Sequence, residues 1–363
     1  MPSTPPAPPR TPPAEAGAPS RRRAGRRGAR PSSGRVTLGD VAKLAGVSSM
    51  TVSRVINQPD SVSAEVQKAV REAIARLGYV PDLLAGGLAS SRTRLVAAIV
   101  PTVAHVMFSA SVQYLTDRLA AEGYQVLLGL SGYPETVREE ELILAILSRR
   151  PEALYLTGTS HSPQSRKQLR AAKIPIVETW DLSRKPLDMA VGFSHTAVGV
   201  RVADYFHAKG YRRVAAISAG DERAMLRCNA FAATSRDHGA DVVAPVVTAS
   251  PSTLQMGRAG LAQLLDGGFP LGGAIFTSSD ALAHGVVLEA QARGLAVPSQ
   301  VAVIGFGDLD YAANTSPPLS SVFVDRFAVG RLAAEALLTR LGGGTVAERV
   351  IDVGFEIVER ATT

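Results

Sequence analysis

Apolar residues early in the chain recur with helical spacing and predict three short helices over residues 36–80. In the second of these, Val52, Val55 and Ile56 share one face and leave the opposite face polar. The third covers residues 64–77 and carries an apolar stripe with the same period. We therefore expect a small all-α domain in this part of the chain.

The first two helices have the spacing of a helix-turn-helix. Ala42, Gly46 and Val52 supply a small residue at the helix contact, a turn and an apolar anchor for the second helix. Thr37 and Ser48 each precede a helix and offer hydroxyls to its first backbone N–H groups. An ordinary three-helix bundle with a serine-rich surface is the alternative, but the length and register of the match favour DNA binding.

From Thr93 onward, short apolar strands alternate with amphipathic helices. The strands are expected in two sets, LVAAIV (95–100), QVLLGL, ALYLT and IPIVE, then RVAAIS (213–218), DVVAPVV, GAIFT and VAVIGF (301–306). Such alternation predicts parallel sheets covered by helices on both faces. Because two sets occur, we expect an α/β domain with two lobes, and a helix beginning near Ala224 with Arg227 at its start.

The first 35 residues differ from the rest of the chain in charge. Residues 1–35 contain eight arginines and nine prolines against one acid, so they carry the entire formal net charge of +7. With almost no large apolar side chain, this segment cannot bury enough surface to fold, and we expect a disordered basic arm. Next to a DNA-binding domain, such an arm adds salt-dependent phosphate contacts. The alternative is a neutral low-complexity tail or a wrongly assigned start codon.

Composition excludes several classes of protein. Cys228 is the single cysteine, so no intramolecular disulfide framework forms, and no apolar run approaches the roughly 18 residues that span a bilayer. No apolar segment follows the arginines as it does in a signal peptide. We therefore expect a cytoplasmic protein that has no membrane contact.

The sequence offers no constellation for catalysis. The run Gly305-Phe306-Gly307-Asp308 does not continue as a dinucleotide fingerprint, and no nucleophile, base and orienting acid stand at matching strand ends. We expect no enzyme, no catalytic residue, no metal site and no cofactor.

From Arg35 to Arg360 the chain resembles the lactose-repressor (LacI-type) family of transcription factors. The resemblance rests above all on TLGDVAKLAGVSSMTVSRVIN followed by VSAEVQKAVREAIARLGYVPD. It implies an N-terminal all-α helix-turn-helix domain at 36–80, a hinge at 81–93 and a two-lobed α/β effector domain at 94–363. That last domain would have the periplasmic-binding-protein-like fold with parallel sheets, and the chain would cross between lobes near residues 193, 323 and 350.

The resemblance also implies partners, namely double-stranded operator DNA, a small-molecule effector and a second copy of the chain. Two-fold pairing presents two recognition helices to a palindromic operator. The chain ends soon after its last predicted strand, without leucine heptads, which favours a homodimer over a tetramer.

By resemblance, the exposed face of the second helix contacts DNA. Ser49, Met50 and Arg54 occupy positions that read base edges. Positions that mostly touch phosphates hold Thr37, Ser48, Thr51, Ser53 and Asn57. The chemistry of these side chains agrees with this assignment. Arginine can form a bidentate contact with guanine, and methionine can make an apolar contact, for example with a thymine methyl. Hydroxyls and amides donate hydrogen bonds to phosphates. We expect Arg54 to matter most for specificity.

By resemblance, the hinge is a short helix that folds only on operator DNA. Leu88 matches a leucine that wedges into the minor groove at the centre of the site. Gly86 and Gly87 replace more helix-prone residues, and each weakens a helix by about 1 kcal/mol relative to alanine. Folding of this hinge is therefore expected to depend more strongly on DNA. The alternative for Leu88 is a linker residue packed on its own domain.

Candidate ligand-binding residues follow the strand ends, where open α/β sheets bind ligands. By resemblance, Phe108 forms an aromatic wall, Arg227 anchors the effector and Asp280 accepts its hydroxyls. The full candidate set is Phe108, Glu178, Trp180, Asp181, Arg227 and Asp280. We expect Glu178 to accept sugar hydroxyls as well, since it would repel a carboxylate.

A cationic fork combined with hydroxyl acceptors suits a sugar acid. The segments GYPETVREEELILAILSRRPEALYLTGTSHSP, PIVETWD and LDMAVGFSH resemble the gluconate-operon repressor branch of the family. Gluconate or a related aldonate that releases the protein from DNA is therefore the leading effector. The alternatives are another sugar, a sugar phosphate or a co-repressor ligand, and a sugar-binding protein without DNA function.

Several candidates also have a purely structural interpretation. Arg227 and Asp280 could form an ion pair between the lobes, and Trp180 could pack in the core instead of stacking on ligand. His161, which lies in the gluconate-type stretch, is more typical of a satisfied structural group. Cys228 is expected to be an inert neighbour of the site.

Overall fold

The computed structural model describes residues 36–80 and 93–363, and these belong to two compact units. The basic arm at 1–35 and the hinge residue Leu88 lie outside the described residues. Each unit is built on its own hydrophobic core.

The first unit consists of three helices, α1 (Leu38–Ala45), α2 (Ser49–Asn57) and α3 (Ala64–Leu77), with a 3₁₀ turn at Pro59–Ser61. Thr37 and Asp40 form a reciprocal capping box at the start of α1, and Gly46 ends it with a φ of +68°. Glycine adopts this left-handed conformation without a steric penalty. The buried side chains that hold the helices together are Val41, Ala42, Val52, Val55, Val70, Ala73 and Tyr79.

The second unit alternates strands with helices. Its helices are α4 (Val106–Ala120), α5 (Glu135–Leu147), α6 (Pro163–Ala172), α7 (His195–Ala208), α8 (Glu222–Asp237), α9 (Leu254–Asp266), α10 (Asp280–Ala292) and α11 (Arg326–Leu341). Its strands are β1 (Leu95–Val100), β2 (Gln125–Leu130), β3 (Ala153–Thr157), β4 (Ile176–Thr179), β5 (Met189–Gly192), β6 (Arg213–Ala219), β7 (Asp241–Val242), β8 (Val246–Thr248), β9 (Gly273–Thr277), β10 (Val301–Gly307), β11 (Ser320–Phe323), β12 (Val350–Asp352) and β13 (Glu356–Val358).

These strands form two sheets, one in each lobe. The N-lobe sheet has the order β12-β5-β4-β3-β1-β2, and the C-lobe sheet has the order β13-β11-β10-β9-β6-β7, with β8 also paired to β6. Every pairing in the described sheets is parallel except that of β11 with β13. The chain passes between the lobes after β5, after β11 and between β12 and β13. The carboxyl ends of the two parallel sheets thereby supply the walls of one cleft.

Two elements differ from the sequence expectation. DVVAPVV forms two short strands instead of one, since Pro245 separates them and proline has no backbone N–H for a sheet ladder. Helix α8 begins at Glu222, before the expected Ala224, because the Asp221 carboxylate caps it by accepting from the Ala224 N–H at 3.1 Å. Arg227 therefore lies in the second turn of α8.

In the part of the chain that the structure describes, no helix has both the length and the apolar character needed to cross a bilayer.

Candidate nucleic-acid interface and ligand cavity

Helix α2 presents a polar face to solvent. Ser48 caps the helix by accepting from the Thr51 N–H at 3.1 Å, and the two hydroxyls lie 2.9 Å apart. The Asn57 amide donates back to the Ser53 carbonyl at 2.9 Å, which closes the last turn. Val52 and Val55 anchor the other face in the core. The hydrogen bonds define the ends of the helix, the two valines fix its orientation in the unit, and its outer row is left exposed.

The outer row combines a cation with an apolar side chain. Ser49, Met50 and Arg54 are exposed, and Met50 shows 67% of its surface. Of the residues expected to touch phosphates, Thr37, Ser48 and Asn57 are exposed as well, and Thr51 and Ser53 are half-buried.

A cavity of about 540 Å³, its open mouth included, lies between the lobes of the second unit. Its aromatic lining consists of Phe108, Trp180, Phe193 and Phe306, and its polar lining of His105, Tyr133, His195, Asp221, Arg223, Arg227, Ser250, Ser252 and Ser278. An apolar enclosure with a few convergent polar groups is typical of a small-molecule site. Three of the six sequence-predicted residues, Phe108, Trp180 and Arg227, line it.

Arg227 is the most deeply buried cation of the cavity. Its Nη1 lies 2.8 Å from His195 Nδ1, its Nη2 donates to the Ser278 carbonyl at 3.2 Å, and its Cζ lies 3.9 Å from the Phe306 ring centroid. Burial lowers the pKa of this guanidinium to about 10, so it remains charged at neutral pH. No described residue accepts a hydrogen bond from its buried Nε. A buried guanidinium with an unused donor is suited to an anionic ligand.

Two histidines of the cavity are neutral at pH 7. Burial and the nearby charges of Arg227 and Arg223 hold the pKa of His195 well below its usual value. The pKa of His105 is lowered by burial, although Asp221 opposes this shift. Nδ1 of His105 is buried and has no partner among the described residues. His105 and Arg227 of the lining therefore each have a buried polar atom without a partner among the described residues.

Trp180 forms the aromatic wall with an unusual backbone. Its φ is +66°, its indole N–H donates to Ser111 Oγ at 3.2 Å, and its ring packs edge-on against Phe108 with centroids 5.5 Å apart. Left-handed backbone costs roughly 1 kcal/mol for a residue with a side chain. Trp180 is 3% exposed, and it both packs in the core cluster and lines the cavity.

Glu178, Asp181 and Asp280 do not line the cavity. Asp280 is fully buried in the C-lobe, where its carboxylate accepts from the Ser321 hydroxyl and from the Leu309 N–H, and burial raises its pKa to about 6. Asp181 accepts from the Thr159 hydroxyl at 3.1 Å and from the Leu182 N–H at 2.7 Å. Arg227 pairs with neither carboxylate, so the suggested ion pair with Asp280 does not form.

Glu178 belongs to a buried charged cluster inside the N-lobe. Nδ1 of His161 lies 2.6 Å from the Glu139 carboxylate, and Nε2 lies 3.2 Å from that of Glu178. The other Glu178 oxygen accepts from the Leu187 N–H at 2.6 Å. Burial lowers the pKa of His161, but the hydrogen bonds and charges of both glutamates outweigh it and raise the pKa to about 9. In this structure His161 is therefore a charged structural group.

Much of the polar lining was not predicted from the sequence. His105, His195, Arg223 and Ser278 were not among the candidates. His195, Arg223 and Ser278 could have been chosen by the criterion applied to the predicted residues, which is a position just after a strand. They follow the carboxyl ends of β5, β6 and β9 within a few residues. His105 precedes α4 and follows β1 in the same way. A position after a strand end identifies the edge of the sheet where ligands bind, but it does not tell which side chains at that edge point into the cleft.

Comparison with known families assigns both units. Residues 37–82 match the model described as bacterial regulatory proteins, lacI family, and residues 203–363 match the periplasmic binding protein-like domain.

Relatives with known names match nearly the whole chain. The HTH-type transcriptional regulator GntR of Pseudomonas aeruginosa is 37% identical, over 92% of this chain and 97% of the relative. The regulator of the same name from Escherichia coli strain K12 is 31% identical, over 89% of this chain and 97% of the relative. A LacI-family transcriptional regulator of known structure from Silicibacter pomeroyi is 32% identical, with a TM-score of 0.84 over 90% of this chain and 99% of that one.

Proposed function

This chain belongs to the LacI family of bacterial regulatory proteins, and from that premise we propose that it is a repressor released from its operator by gluconate or a related aldonate. The first unit supplies operator recognition through the exposed face of α2. The second unit supplies the effector site. Two of the relatives bear the name GntR, and this supports an effector of the gluconate type.

The observation that carries the effector proposal is the unused donor of Arg227. Arg227 lines the cavity, and its Nε is buried and lacks a partner among the described residues. A carboxylate satisfies such a donor and pairs with the positive charge, and a charge-assisted bond of this kind is about twice as strong as a neutral one. The hydroxyls of an aldonate match the seryl hydroxyls of the lining, including Ser250, Ser252 and Ser278.

The charges of the lining favour a ligand with a single negative charge. Arg223 and Arg227 provide two positive charges and Asp221 one negative charge, while His105 and His195 are neutral at pH 7. The lining therefore carries a net charge of +1. Because an uncompensated charge in a closed site costs several kcal/mol, a monoanion fits this balance best.

Repression would require two copies of the chain. In a two-fold symmetric dimer, two copies of α2 face two half-sites of a palindromic operator. Arg54 is suited to a bidentate contact with guanine, and Met50 to a thymine methyl. Ligand in the cleft would change the closure of the lobes and so the spacing of the DNA-binding units, provided that it binds the two states with different affinity.

The test is a titration of the protein's own upstream DNA with purified full-length chain, with and without gluconate, followed by fluorescence anisotropy. Two variants separate the two halves of the proposal. Arg227→Gln is expected to bind operator but to lose the gluconate response, whereas Arg54→Ala is expected to bind gluconate but to lose operator specificity. If gluconate neither binds the wild-type protein nor changes its operator affinity, the effector assignment is wrong, although the regulator assignment stands.

Arg223 gives a specific reason to consider a sugar phosphate as the second candidate. It is a second buried cation of the lining, and its Cζ lies 5.5 Å from the Phe108 ring centroid. Two arginines would suit the dianionic phosphate group of a sugar phosphate, although the charge of Asp221 opposes it. Isothermal titration with gluconate and with 6-phosphogluconate distinguishes the two, since the charge balance predicts tighter binding of gluconate.

A further inference from the structure

We propose that His195 is a positioning residue of the ligand site, which holds Arg227 by accepting its hydrogen bond and ties it to the backbone of Trp180. The proposal deepens the proposed effector site, because it concerns how the anchoring arginine is held there. His195 is the first residue of α7, directly after the chain passes from the N-lobe to the C-lobe. It therefore lies at the junction through which the lobes are connected.

The two ring nitrogens of His195 contact different lobes. Nδ1 lies 2.8 Å from Nη1 of Arg227, which α8 of the C-lobe carries, and Nε2 lies 2.7 Å from the carbonyl oxygen of Trp180 at the end of β4 in the N-lobe. The ring is 3% exposed and packs edge-on against Phe193, with centroids 4.6 Å apart. His195 thus forms a single bridge from the N-lobe wall to the C-lobe anchor.

The partners of the ring determine its protonation. Arginine has donors only and a carbonyl oxygen only accepts, so Nδ1 must be the bare acceptor and Nε2 must carry the proton. A protonated imidazole would direct a second N–H at the guanidinium and lose the bond. The burial of His195 and the charges of Arg227 and Arg223 lower its pKa, which maintains the neutral form.

Few other contacts hold the guanidinium of Arg227. Besides His195, the Ser278 carbonyl accepts one bond at 3.2 Å, and the Phe306 ring lies under Cζ. The ring face gives no directional bond, and the bond to the Ser278 carbonyl restrains only Nη2. The acceptor at His195 Nδ1 restrains Nη1 as well, so the two bonds together fix the plane of the guanidinium and the direction of its unused Nε donor.

Two variants separate the hydrogen-bonding role of the His195 ring from its packing role. His195→Asn keeps an acceptor, Oδ1, close to the position of Nδ1, but it is too short to reach the Trp180 carbonyl. His195→Phe keeps the ring and its packing on Phe193 but removes both hydrogen bonds. A purely structural histidine would tolerate Phe at least as well as Asn, whereas a positioning residue requires the acceptor.

Gluconate is the probe for binding to the full-length chain by isothermal titration calorimetry. We expect His195→Asn to stay within about threefold of wild-type affinity and His195→Phe to lose roughly 10- to 100-fold, as expected for a hydrogen bond to a charged group. Equal affinity of the Asn and Phe variants, or weaker binding by Asn, would overturn the proposal.

The bridge to Trp180 has its own optical readout, because Trp180 is the single tryptophan of the chain. In the wild-type protein, gluconate should change the Trp180 emission. In His195→Asn it should bind with a clearly smaller emission change, since the bond to the Trp180 carbonyl is lost. If the emission change in His195→Asn is as large as in the wild type, the hydrogen bond from His195 to the Trp180 carbonyl does not couple the two residues.

A ligand-free measurement keeps the proposal testable if gluconate does not bind. In protein labelled with ¹⁵N-arginine, the Nε–H resonance of Arg227 is assigned by its loss in Arg227→Lys. We expect this resonance to be sharp in the wild type and in His195→Asn and to be broadened or lost in His195→Phe. If it is the same in all three, His195 does not position Arg227, whatever the effector is.

Discussion

Arg227 and His161 are both buried and positively charged at neutral pH, but their surroundings give them different roles. Each ring nitrogen of His161 lies close to a glutamate carboxylate, so its positive charge is balanced by negative charges inside the N-lobe. Arg227 has no carboxylate partner and retains an unused donor in the cavity. The first arrangement stabilises the lobe, and the second leaves binding energy for a ligand.

The raised pKa of His161 makes the stability of the second unit depend on pH. The pKa is about 9 in the folded chain and about 6.5 for the free side chain, so the stabilisation is complete below pH 6.5 and is lost as the pH rises through 9. The difference corresponds to about 3 kcal/mol. Urea unfolding between pH 6 and pH 9.5, followed by Trp180 emission, measures this loss.

His161→Gln is the matched control for that measurement. It leaves two buried carboxylates without their cation and should destabilise the unit by about 3 kcal/mol or more at pH 6.5. The decline between pH 6.5 and pH 9 should become much smaller in this variant. A decline as steep as that of the wild type would assign the pH dependence to other groups.

Arg54 is the residue of the first unit whose replacement should be the most informative. Arg54→Ala removes a bidentate contact to guanine, so specific operator affinity should fall by about 1–3 kcal/mol, with a much smaller loss on non-specific DNA. Anisotropy titrations on operator and on scrambled duplexes at matched salt give both numbers. Equal losses on the two duplexes would place Arg54 at a phosphate and not at a base.

At the scale of elements, the close contact between α7 and α8 places Arg227. Gly199 of α7 faces the backbone of α8, and a Cβ added there would lie 2.7 Å from the Phe231 nitrogen and would also meet the Arg227 carbonyl oxygen. Backbone atoms cannot move aside as side chains do. The absence of a side chain at Gly199 therefore sets the distance between the helix that begins with His195 and the helix that carries Arg227.

Gly199→Ala should separate these helices. We expect destabilisation of about 1–3 kcal/mol, as for overpacked cores, together with weaker gluconate binding because Arg227 is displaced. Thermal unfolding and calorimetry measure the two effects. Gly39→Ala in α1 is the control, since its Cβ would meet only Thr37 Oγ1 at 3.6 Å, and it should be neutral or slightly stabilising. Wild-type affinity and stability in Gly199→Ala would show that the helices adjust without cost.

At the scale of the whole molecule, repression is a coupling between two sites in two units. If gluconate lowers operator affinity by some factor, operator must lower gluconate affinity by the same factor. The size of the factor depends only on how differently gluconate binds the DNA-bound and free states.

This reciprocity is directly measurable. Calorimetric titration of gluconate into the free protein and into the protein saturated with operator gives one factor, and operator binding with and without saturating gluconate gives the other. We expect the two factors to agree within error. Unequal factors would mean that a further equilibrium, such as dissociation of the dimer, changes along with binding.

Much of the fold could be predicted because its signals are local. The apolar face of α2, the Thr37 capping box and the strand LVAAIV each depend on residues a few positions apart, and the structure contains all three. The two differences from expectation also have local causes. Pro245 divides one expected strand into two, and the Asp221 cap makes α8 begin earlier than expected. Fold class and family follow from such signals.

The cavity could be predicted only in part, because the direction of a side chain at a strand end is not a local property. Glu178 and Trp180 are two residues apart and would share a face if β4 continued regularly. The φ of +66° at Trp180 breaks this alternation, so Trp180 lines the cavity while Glu178 contacts His161. From the sequence alone, both residues were predicted to contact the ligand.

The sequence by itself determined the helix-turn-helix, the two βα sets and the family, since periodicity, capping and motif spacing act over short stretches of chain. Only the tertiary structure decided which strand ends share one cleft. It brings His195, Arg227 and Phe306, which follow or end three different strands, into contact. It also places Asp280 inside the C-lobe, where its carboxylate accepts a hydrogen bond from Ser321. The physical reason is that these contacts arise where segments distant in sequence pack together, so the partners of a buried polar atom are not set by its neighbours along the chain.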